Sequence, residues 1–493
     1  MKTEPKLYEQ QLYEIWKNQC FTSELHTKSG DEIKVLDVGS LNIDYAGADF
    51  KNARIRVGNL TYVGDIEIDV DYNNWKSHGH NIDSKYNKVI LHISFFNKHK
   101  QPFVYTKDGR KIHSICISPF LHESFKNQFG KEVESKIKRK ENSLKCSFFI
   151  ENIARYQKEK FISDLGIVRF KRKCDRIYKR LKELKFLQEH NIKEPVIRYD
   201  LTEAFQKRVF THEDFKTRDL WEQLLYEMLF EALGYSKNKT IMLHLAQSAN
   251  LEFLRKLGND SDFLTRIESA LFNIGGLIPN VEELPEEGTS AYTKKLAAEW
   301  ELLKRIYDGK TFDETLWHFF KLRPQNFPTV RIAGGTRILK KLMYGGLIEI
   351  MIKKIREIRH LPVLVNSLRS LYVIKSEGFW QKHYIFDKPS SGDIKYFVGA
   401  SRADEMVINV ILPFFSIYFD IFGDESMAKK ILMTYNIYNQ NAENKIVRDV
   451  AESLEMTSYL KKTVYQQGMI ELFRNYCSKG KCLECRIGKV AFN

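Results

Sequence analysis

A short acidic stretch is the first feature of this sequence that could do chemistry. Residues 65–71 read DIEIDVD, in which acidic residues alternate with aliphatic ones. Because side chains alternate between the two faces of a β-strand, this pattern places the carboxylates on one face and the aliphatic side chains on the other. Carboxylates in such a row raise one another's pKa unless a cation compensates them, and the cation can be Lys, Arg or a divalent metal. The stretch therefore predicts either a salt ladder or a metal site.

Neighbouring residues supply a candidate for each alternative. Arg54 and Arg56 alternate with apolar residues before the acidic stretch, and they would form the salt ladder. Asp49 would instead join Glu67 as an oxygen ligand of Mg²⁺ or Mn²⁺. Such a metal activates a bound water and neutralises the charge that develops in phosphodiester hydrolysis. The metal site needs a β-bulge that turns Asp49 toward Glu67, and Gly64 is the expected place for it.

A histidine segment follows the acidic stretch. His78, His80 and Asp83 lie in a short span, and His92 follows on a predicted strand. Histidine and aspartate together can ligate a transition metal, and histidine can also act as a general base. Convergence of the first three side chains would indicate a Zn²⁺-dependent hydrolase. His92 alone is more typical of a core histidine.

The C-terminal tail offers another candidate site. Cys477, Cys482 and Cys485 include a Cys-x-x-Cys spacing that is typical of Zn²⁺ or iron–sulfur ligands. Three thiolates are one ligand short of a closed site, and Cys20, His78 or another distant residue would supply the fourth. The alternative is a set of exposed thiols without a metal.

Two arginines flank a proline-containing turn in the sequence RPQNFPTVR, residues 323–331. Because guanidinium groups bind oxyanions in a bidentate manner, Arg323 and Arg331 are candidates for contacts with nucleic-acid phosphates. The alternative is that this turn caps the neighbouring helices.

The elements that must position these residues change in character along the chain. Residues 33–39 and 89–95 are predicted strands, and near-strict alternation over residues 52–70 around Gly58-Asn59 predicts a hairpin. After residue 120 amphipathic helices dominate, and the pattern over residues 337–359 is helical throughout.

These patterns predict an α+β fold with three parts. The expected domains are a β-rich, nuclease-like module with a small mixed β-sheet at residues 1–120, a mainly helical body at residues 121–465 and a Cys-rich tail at residues 466–493.

Charge and hydrophobicity limit the classes of function. Lys and Arg total 78 against 63 Asp and Glu, a net charge of +15, which attracts phosphates and favours nucleic acid as a partner. The N-terminus lacks the apolar segment of a signal peptide, and the most apolar stretch, residues 406–422, is interrupted by Asn409, Pro413 and Asp420. We therefore expect a cytoplasmic protein without a membrane span. Seven cysteines, an odd number, argue against a disulfide framework.

The acidic residues resemble those of the PD-(D/E)XK nuclease superfamily. Its pattern is an acidic residue that opens a hairpin, then Glu-x-Lys on the next strand, then a helix. The resemblance implies that Glu14, Asp49 and Glu67 match the acid of the first helix, the motif Asp and the motif Glu. Asp69 stands where the superfamily has a lysine that helps to position the attacking water.

The same resemblance implies roles for residues farther along the chain. Lys85, Lys76 or a histidine would replace the missing lysine. His80, Asp83 and Tyr86 lie where exonuclease-type members carry a polar helix motif that faces DNA. Certain nuclease relatives also tie one early cysteine to three C-terminal cysteines through an iron–sulfur cluster, and Cys20 would be that early cysteine here.

The whole chain also resembles a bacterial family catalogued as domain of unknown function 2851. The matching stretches are residues 47–53, 64–68, 75–86, 89–92, 323–331 and 476–488. The family has Gly-Pro-Asp where this chain has Gly47-Ala48-Asp49, and a histidine at the position of Asp69. This resemblance implies no established activity.

Three functions are consistent with these patterns. The first is a Mg²⁺- or Mn²⁺-dependent nuclease whose candidate catalytic residues are Asp49, Glu67, Asp69, His80 and Lys85. The second is a catalytically degenerate nuclease-like module that binds nucleic acid, with His78 and Tyr86 as candidate contacts, or a protein partner. The third is the Zn²⁺-dependent hydrolase built on the histidine segment.

Overall fold

The structure is a computed structural model that describes most of the chain. The described residues are 9–27, 30–42, 47–97, 101–121, 144, 146–147, 150, 153–192, 202–280, 288–320, 322–390, 392–440 and 444–492. They fall into two compact units. Unit 1 contains the described residues of Met1–Glu141 together with His318–Arg323, and unit 2 contains those of Asn142–Trp317 and Pro324–Asn493. A short segment far along the chain, His318–Arg323, therefore belongs to the N-terminal unit.

Unit 1 is built on a mixed β-sheet with helix α1 (Glu9–Lys17) and the short helix α2 (Asn74–Ser77). Its strands are β1 (Leu25–His26), β2 (Glu32–Asp37), β3 (Ser40–Leu41), β4 (Phe50–Val57), β5 (Leu60–Asp71), β6 (Val89–Phe96), β7 (Phe103–Tyr105) and β8 (Lys111–Cys116). The order across the sheet is β1-β2-β4-β5-β6-β8-β7, and β3 pairs with β4. Strands β5, β6 and β8 run parallel, whereas the pairs before β5 are antiparallel.

Strands β4 and β5 form the predicted hairpin. Val57 pairs with Leu60, so Gly58 and Asn59 form its tip. Gly58 has a φ of +56°, a conformation that glycine adopts without steric cost. The hairpin tip fixes the register of the alternating acidic strand, and hence which face each carboxylate occupies.

The two faces of β5 belong to different apolar clusters. Ile66 and Ile68 are buried in a core with residues of α1, including Leu12, Ile15 and Trp16. The acidic residues of β5 point the other way. A second cluster in unit 1 contains Ala48, Trp75, Tyr86, Val89, Val104, Ile112 and Phe320.

Unit 2 is mainly helical. Its helices are α3 (Arg155–Glu189), α4 (Thr202–Lys207), α5 (Arg218–Leu233), α6 (Lys239–Ser248), α7 (Leu251–Arg255), α8 (Phe263–Ile274), α9 (Ala291–Leu303), α10 (Pro328–Tyr344), α11 (Leu347–Glu357), α12 (Leu361–Ser370), α13 (Ala400–Met406), α14 (Leu412–Ile421), α15 (Glu425–Ile437), α16 (Lys445–Ser453), α17 (Thr463–Asn475) and α18 (Arg486–Phe492). Short strands β9 (Ile374–Lys375), β10 (His383–Ile385), β11 (Lys388–Pro389) and β12 (Tyr396–Val398) pair as β9 with β12 and β10 with β11.

A sheet-bearing unit and a mainly helical unit confirm the predicted α+β fold. The helical pattern over residues 337–359, however, does not form one continuous helix. Helix α10 ends at Tyr344 and α11 begins at Leu347, because Gly346 between them has a φ of +59°, outside the helical region. Among the helices that the structure describes, none combines the length and the apolar character needed to cross a membrane.

Candidate metal centre

A β-bulge in β4 brings Asp49 beside Glu67. Phe50 pairs with Ile66 and Ala53 with Gly64, so β4 has one residue more than β5 over this span. Asn52 lies within it and has a φ of +56°, which asparagine tolerates better than most residues. The sequence predicted a bulge at Gly64, and this placement was wrong. Gly64 instead allows β6 to approach closely, because a Cβ atom there would lie 2.5 Å from the carbonyl oxygen of Lys88.

At the bulge, hydrogen bonds connect Asp49 to β5. The Asp49 N–H donates to Oε2 of Glu67 at 3.1 Å. The carboxylate of Asp49 accepts from the N–H of Ile68 at 2.9 Å and from the hydroxyl of Tyr13 at 2.6 Å. Asp49 and Glu67 therefore lie on the same side of the hairpin, as the metal-site alternative requires.

The salt ladder of Arg54 and Arg56 is not formed. Both arginines are exposed, and they pair across the hairpin with Val63 and Thr61 rather than with the acidic residues. Asp65 has a different cation, because Nζ of Lys51 lies 2.8 Å from its Oδ2. The cation that neutralises the buried part of the acidic row must come from elsewhere.

Three histidines of unit 1 lie beside these carboxylates, and each carries a positive charge only when its ring is protonated. Nδ1 of His78 lies 3.2 Å from Oδ1 of Asp69, and Nδ1 of His80 lies 3.4 Å from Oε1 of Glu67 and 3.6 Å from Oδ2 of Asp69. His92 on β6 approaches Oδ2 of Asp69 through Nε2 at 3.3 Å. The acidic strand and the histidine segment, which the sequence suggested as separate sites, form a single cluster.

Three members of the cluster can hold a metal ion. Ligand atoms of Asp69, His78 and His80 all lie within 4.8 Å of one another. The predicted trio of His78, His80 and Asp83 was wrong in its third member. Asp83 instead caps the 3₁₀ helix Ser84–Tyr86 by accepting a hydrogen bond from the N–H of Lys85 at 3.0 Å.

The histidines depend on local turns that the segment encodes. His78 ends α2, and Gly79 has a φ of +80°, which starts the 3₁₀ helix His80–Ile82 in a new direction. The ring of His80 then stacks on that of Tyr86 with centroids 4.2 Å apart. Because Tyr86 is fully buried, this stacking holds the imidazole of His80 against the acidic strand.

The electrostatics of the cluster are set by Asp69. Burial alone would raise the pKa of Asp69, but the close contacts of His78 and His92 and the neighbouring ring of His80 outweigh burial and hold that pKa well below its ordinary value. Asp69 is therefore an anion that is available to a cation. On its far side His92 is oriented by Ser114, whose Oγ lies 2.8 Å from its Nδ1.

Tyr86 is held neutral in the same environment. Burial, followed by the charges of Glu67 and Asp83, raises its pKa well above the usual range. Among the residues that the structure describes, its hydroxyl has no hydrogen-bond partner. A buried hydroxyl without a partner is unfavourable, so a bound water or ligand would stabilise it.

The segment His318–Phe320 covers the histidines. The ring of Phe320 lies 4.4 Å from that of His80 and 5.8 Å from that of His78. Nδ1 of His318 lies 3.5 Å from Nζ of Lys85, a lysine whose pKa is lowered by burial. The side chains of His80 and Asp69 are 0% and 2% exposed, whereas that of His78 is 26% exposed. Solvent therefore reaches the cluster from the side of His78.

Other candidates lie outside this cluster. Glu14 is exposed and accepts a hydrogen bond from Asn18, and Lys76 and Arg323 are also exposed. Arg331, in unit 2, is buried, and its guanidinium donates to the carbonyl oxygen of Phe397, the hydroxyl of Tyr235 and Oδ1 of Asn326. Cys477, Cys482 and Cys485 are free thiols of unit 2, and Cys20 is a free thiol of unit 1.

Comparison with known proteins gave one family. A family model described as "Protein of unknown function (DUF2851)" matches residues 9–199 and 190–444. Comparisons with curated proteins and with solved structures gave no match.

Proposed function

We propose that this chain, which belongs to the family of unknown function DUF2851, hydrolyses phosphodiester bonds in nucleic acid with a metal ion held by the cluster in unit 1. The observation that carries this proposal is the approach of Asp69, His78 and His80 to within 4.8 Å of one another. Three protein ligands leave a coordination position for water, which is typical of catalytic rather than structural sites.

The ligand types favour a particular metal. Mg²⁺ prefers a shell of oxygen atoms, imidazole suits Zn²⁺, and Mn²⁺ favours carboxylate ligands such as Asp69. Two of the three candidate ligands are histidines and the third is a carboxylate, so we infer Zn²⁺, with Mn²⁺ as the alternative, rather than Mg²⁺. A divalent ion here lowers the pKa of its bound water and neutralises charge on the reacting phosphate.

Other residues of the cluster have supporting roles. Glu67 is fixed at Oε2 by the Asp49 N–H, and its Oε1 faces His80, where it accepts the proton of the attacking water. His92 and Ser114 hold Asp69 in place from behind. The hydroxyl of Tyr86, which is fully buried, donates to a water bound within the cluster.

The substrate class rests on charge. The chain has a net charge of +15, and the exposed residues of unit 1 include Lys76, Lys88 and Arg323. Basic side chains around a phosphodiesterase site attract the nucleic-acid backbone and make binding sensitive to salt.

The burial of the cluster favours a second candidate function. A substrate that reaches only the exposed edge of His78 would lie beside the metal but would not reach the buried Glu67, so it would not react. In this case the metal is structural, and unit 1 binds nucleic acid or a protein without cleaving it.

The test uses full-length protein stripped of metal with a chelator. It is incubated with labelled single- and double-stranded DNA and RNA in Zn²⁺, Mn²⁺ or Mg²⁺, alongside Asp69→Asn, His78→Ala and the control His113→Ala. His113 is a half-buried histidine of β8 that is not one of the candidate ligands.

We expect cleavage with Zn²⁺ or Mn²⁺ that falls at least ~100-fold in the two ligand variants and not in the control. Stoichiometric metal with salt-sensitive binding and no cleavage would favour the second candidate. Failure to bind any of the three metals at this cluster would overturn both.

A further inference from the structure

Two arginines of unit 2 contact the ring of one tyrosine. Arg331 lies in α10 and Arg402 in α13, and Tyr235 follows the end of α5. The Cζ atom of Arg402 lies 3.0 Å from the centroid of the Tyr235 ring, and that of Arg331 lies 5.2 Å from it. We propose that these three residues form a binding site for a dianionic oxyanion, of which inorganic phosphate is the simplest example. The site shares no residue with the cluster in unit 1, so this inference is independent of the proposed function.

Neither guanidinium group has a counter-ion among the residues that the structure describes. The two groups donate hydrogen bonds to neutral acceptors, which are the carbonyl oxygens of Phe397 and Ala232, Oδ1 of Asn326 and the hydroxyl of Tyr235. Glu405 influences Arg402 from a distance, but its Oε2 accepts a hydrogen bond from Nδ2 of Asn409 at 2.6 Å. Charges buried in proteins are normally paired, so this arrangement leaves positive charge that an anion would neutralise.

Each arginine also has a buried donor that the protein leaves unused. The Nε atoms of Arg331 and Arg402 are both buried, and neither makes a hydrogen bond within the described part of the chain. Arg331 as a whole is 5% exposed, so bulk water does not take the place of a partner. A buried N–H group without an acceptor is unfavourable, and an oxyanion offers acceptor atoms to both guanidinium groups at once. These two donors are the observation that points to a ligand.

The number of charges favours a dianion. Burial lowers the pKa of both guanidinium groups, that of Arg402 to about 10, because it disfavours the charged form. Both groups therefore stay protonated at neutral pH and carry two positive charges. A phosphate dianion matches this charge, whereas chloride or a single carboxylate group leaves one charge uncompensated. Phosphate also presents several oxygen atoms, which suits the bidentate geometry of guanidinium.

This site differs from the clamp that the sequence suggested. Arg323 belongs to unit 1, so Arg402 rather than Arg323 is the partner of Arg331 here. Arg402 is partly exposed, and a small ion would enter from its side, whereas a nucleic-acid strand would not reach the buried Arg331. Bound phosphate would link α10, α13 and the turn after α5, and it would stabilise unit 2 because it binds only the folded state.

The test is the binding of inorganic phosphate to the full-length chain at about pH 8, where phosphate is mostly a dianion. A chelator is present, so that no metal in unit 1 binds the ion. Equilibrium dialysis with labelled phosphate measures affinity and stoichiometry. Thermal unfolding in phosphate, and in chloride of equal ionic strength, measures the effect on stability.

The variants separate this site from other arginines. Arg402→Gln removes one charge and one pair of donors. Tyr235→Phe keeps the ring and removes the hydroxyl, and it serves where Arg402→Gln does not fold. Arg337→Gln is the matched control, because Arg337 is a partly buried arginine of the same unit that already pairs with Glu268 and Glu377. Arg323→Ala, at an exposed position, is the second control.

We expect one phosphate per wild-type chain and a Tm that is a few degrees higher in phosphate than in chloride. Arg402→Gln should weaken phosphate binding at least ~10-fold and remove the difference in Tm, and Tyr235→Phe should weaken binding several-fold, whereas both controls should bind as wild type does. The proposal is overturned if wild type binds no phosphate at millimolar concentration, or if Arg402→Gln and Tyr235→Phe bind it as tightly as wild type. It is also overturned if a short oligonucleotide displaces the phosphate and Arg323→Ala weakens that competition, since the group would then contact nucleic acid.

Discussion

Nδ1 of His80 lies 3.4 Å from Oε1 of Glu67. This contact joins the two sequence features with the strongest chemical character, the alternating acidic strand and the histidine segment. The sequence left them as rival sites, one for Mg²⁺ and one for Zn²⁺. In the structure both features contribute to one cluster around Asp69. The identity of the metal and the role of each acidic residue therefore have to be explained for that single cluster.

Glu67→Gln tests the assignment of Glu67 as the base. The amide keeps a side-chain oxygen that can accept from the Asp49 N–H, but it cannot take a proton from water. We expect metal affinity to stay within a few-fold of wild type and kcat for nucleic-acid cleavage to fall ~100- to 10,000-fold. A variant that loses metal as well as activity would show instead that Glu67 is itself a ligand.

The lowered pKa of Asp69 predicts a dependence of stability on pH in the metal-free protein. Because the folded state holds this carboxyl ionised, the unfolded state binds its proton more tightly, and stability rises with pH up to the ordinary value of 3.8 and slightly above it. The contribution is fully present above about pH 5 and is lost as pH falls through 3.8 toward the lower folded-state pKa.

The measurement is urea denaturation of wild type and Asp69→Asn between pH 3 and pH 7, with chelator present. Wild type should be the more stable protein at pH 6, and the difference should shrink at pH 3. The groups that face Asp69 are His78, His80 and His92, with Glu67 beside them. His92→Gln is therefore included, to separate the effect of the carboxylate from that of its partners. A difference that is constant over this range would contradict the lowered pKa.

Phe320→Ala tests the cover over the cluster. Phe320 is 7% exposed and its ring packs on His80, so removal of the ring should cost about 3 kcal/mol of stability and open a path for solvent. We expect bound metal to pass to a chelator at least several-fold faster than from wild type. Phe320→Leu, which keeps most of the apolar volume, should release metal at nearly the wild-type rate. Equal rates in all three proteins would show that Phe320 does not limit access.

Local patterns predicted much of the site but not its assembly. Period-2 alternation fixed the acidic face of β5, and Gly58-Asn59 placed the hairpin tip correctly. The position of the bulge was harder to predict. Both Gly64 and Asn52 tolerate a break in the hydrogen-bond ladder between β4 and β5, and only the close packing of β6 against Gly64 excludes a bulge at that glycine.

Contacts between residues distant in sequence leave no local pattern. Phe320 reaches the histidines from more than 200 positions away, and its aromatic character is equally typical of any core residue. Cys146 is likewise distant in sequence from Cys477 and Cys485, with which it shares an apolar cluster, and a single cysteine has no spacing pattern that would predict this contact. Such residues are identified only when the fold brings them together.

Arg331→Ala tests the predicted role of Arg331 in binding nucleic-acid phosphate. Arg331 is 5% exposed, and its guanidinium donates hydrogen bonds to Phe397, Tyr235 and Asn326 and lies over the ring of Tyr235. We expect Arg331→Ala to lower the free energy of unfolding by about 2 to 4 kcal/mol, because three acceptors lose a buried charged donor. The affinity of the folded fraction for nucleic acid should not change.

The matched control for Arg331→Ala is Arg323→Ala, the exposed partner in the predicted clamp. Its stability should stay within about 0.5 kcal/mol of wild type, as for most surface substitutions. Urea denaturation and the salt dependence of nucleic-acid binding measure the two properties separately. Arg331→Ala could instead weaken nucleic-acid binding and change its salt dependence without a loss of stability. That result would show that Arg331 binds nucleic-acid phosphate, as the sequence predicted, rather than stabilising the fold.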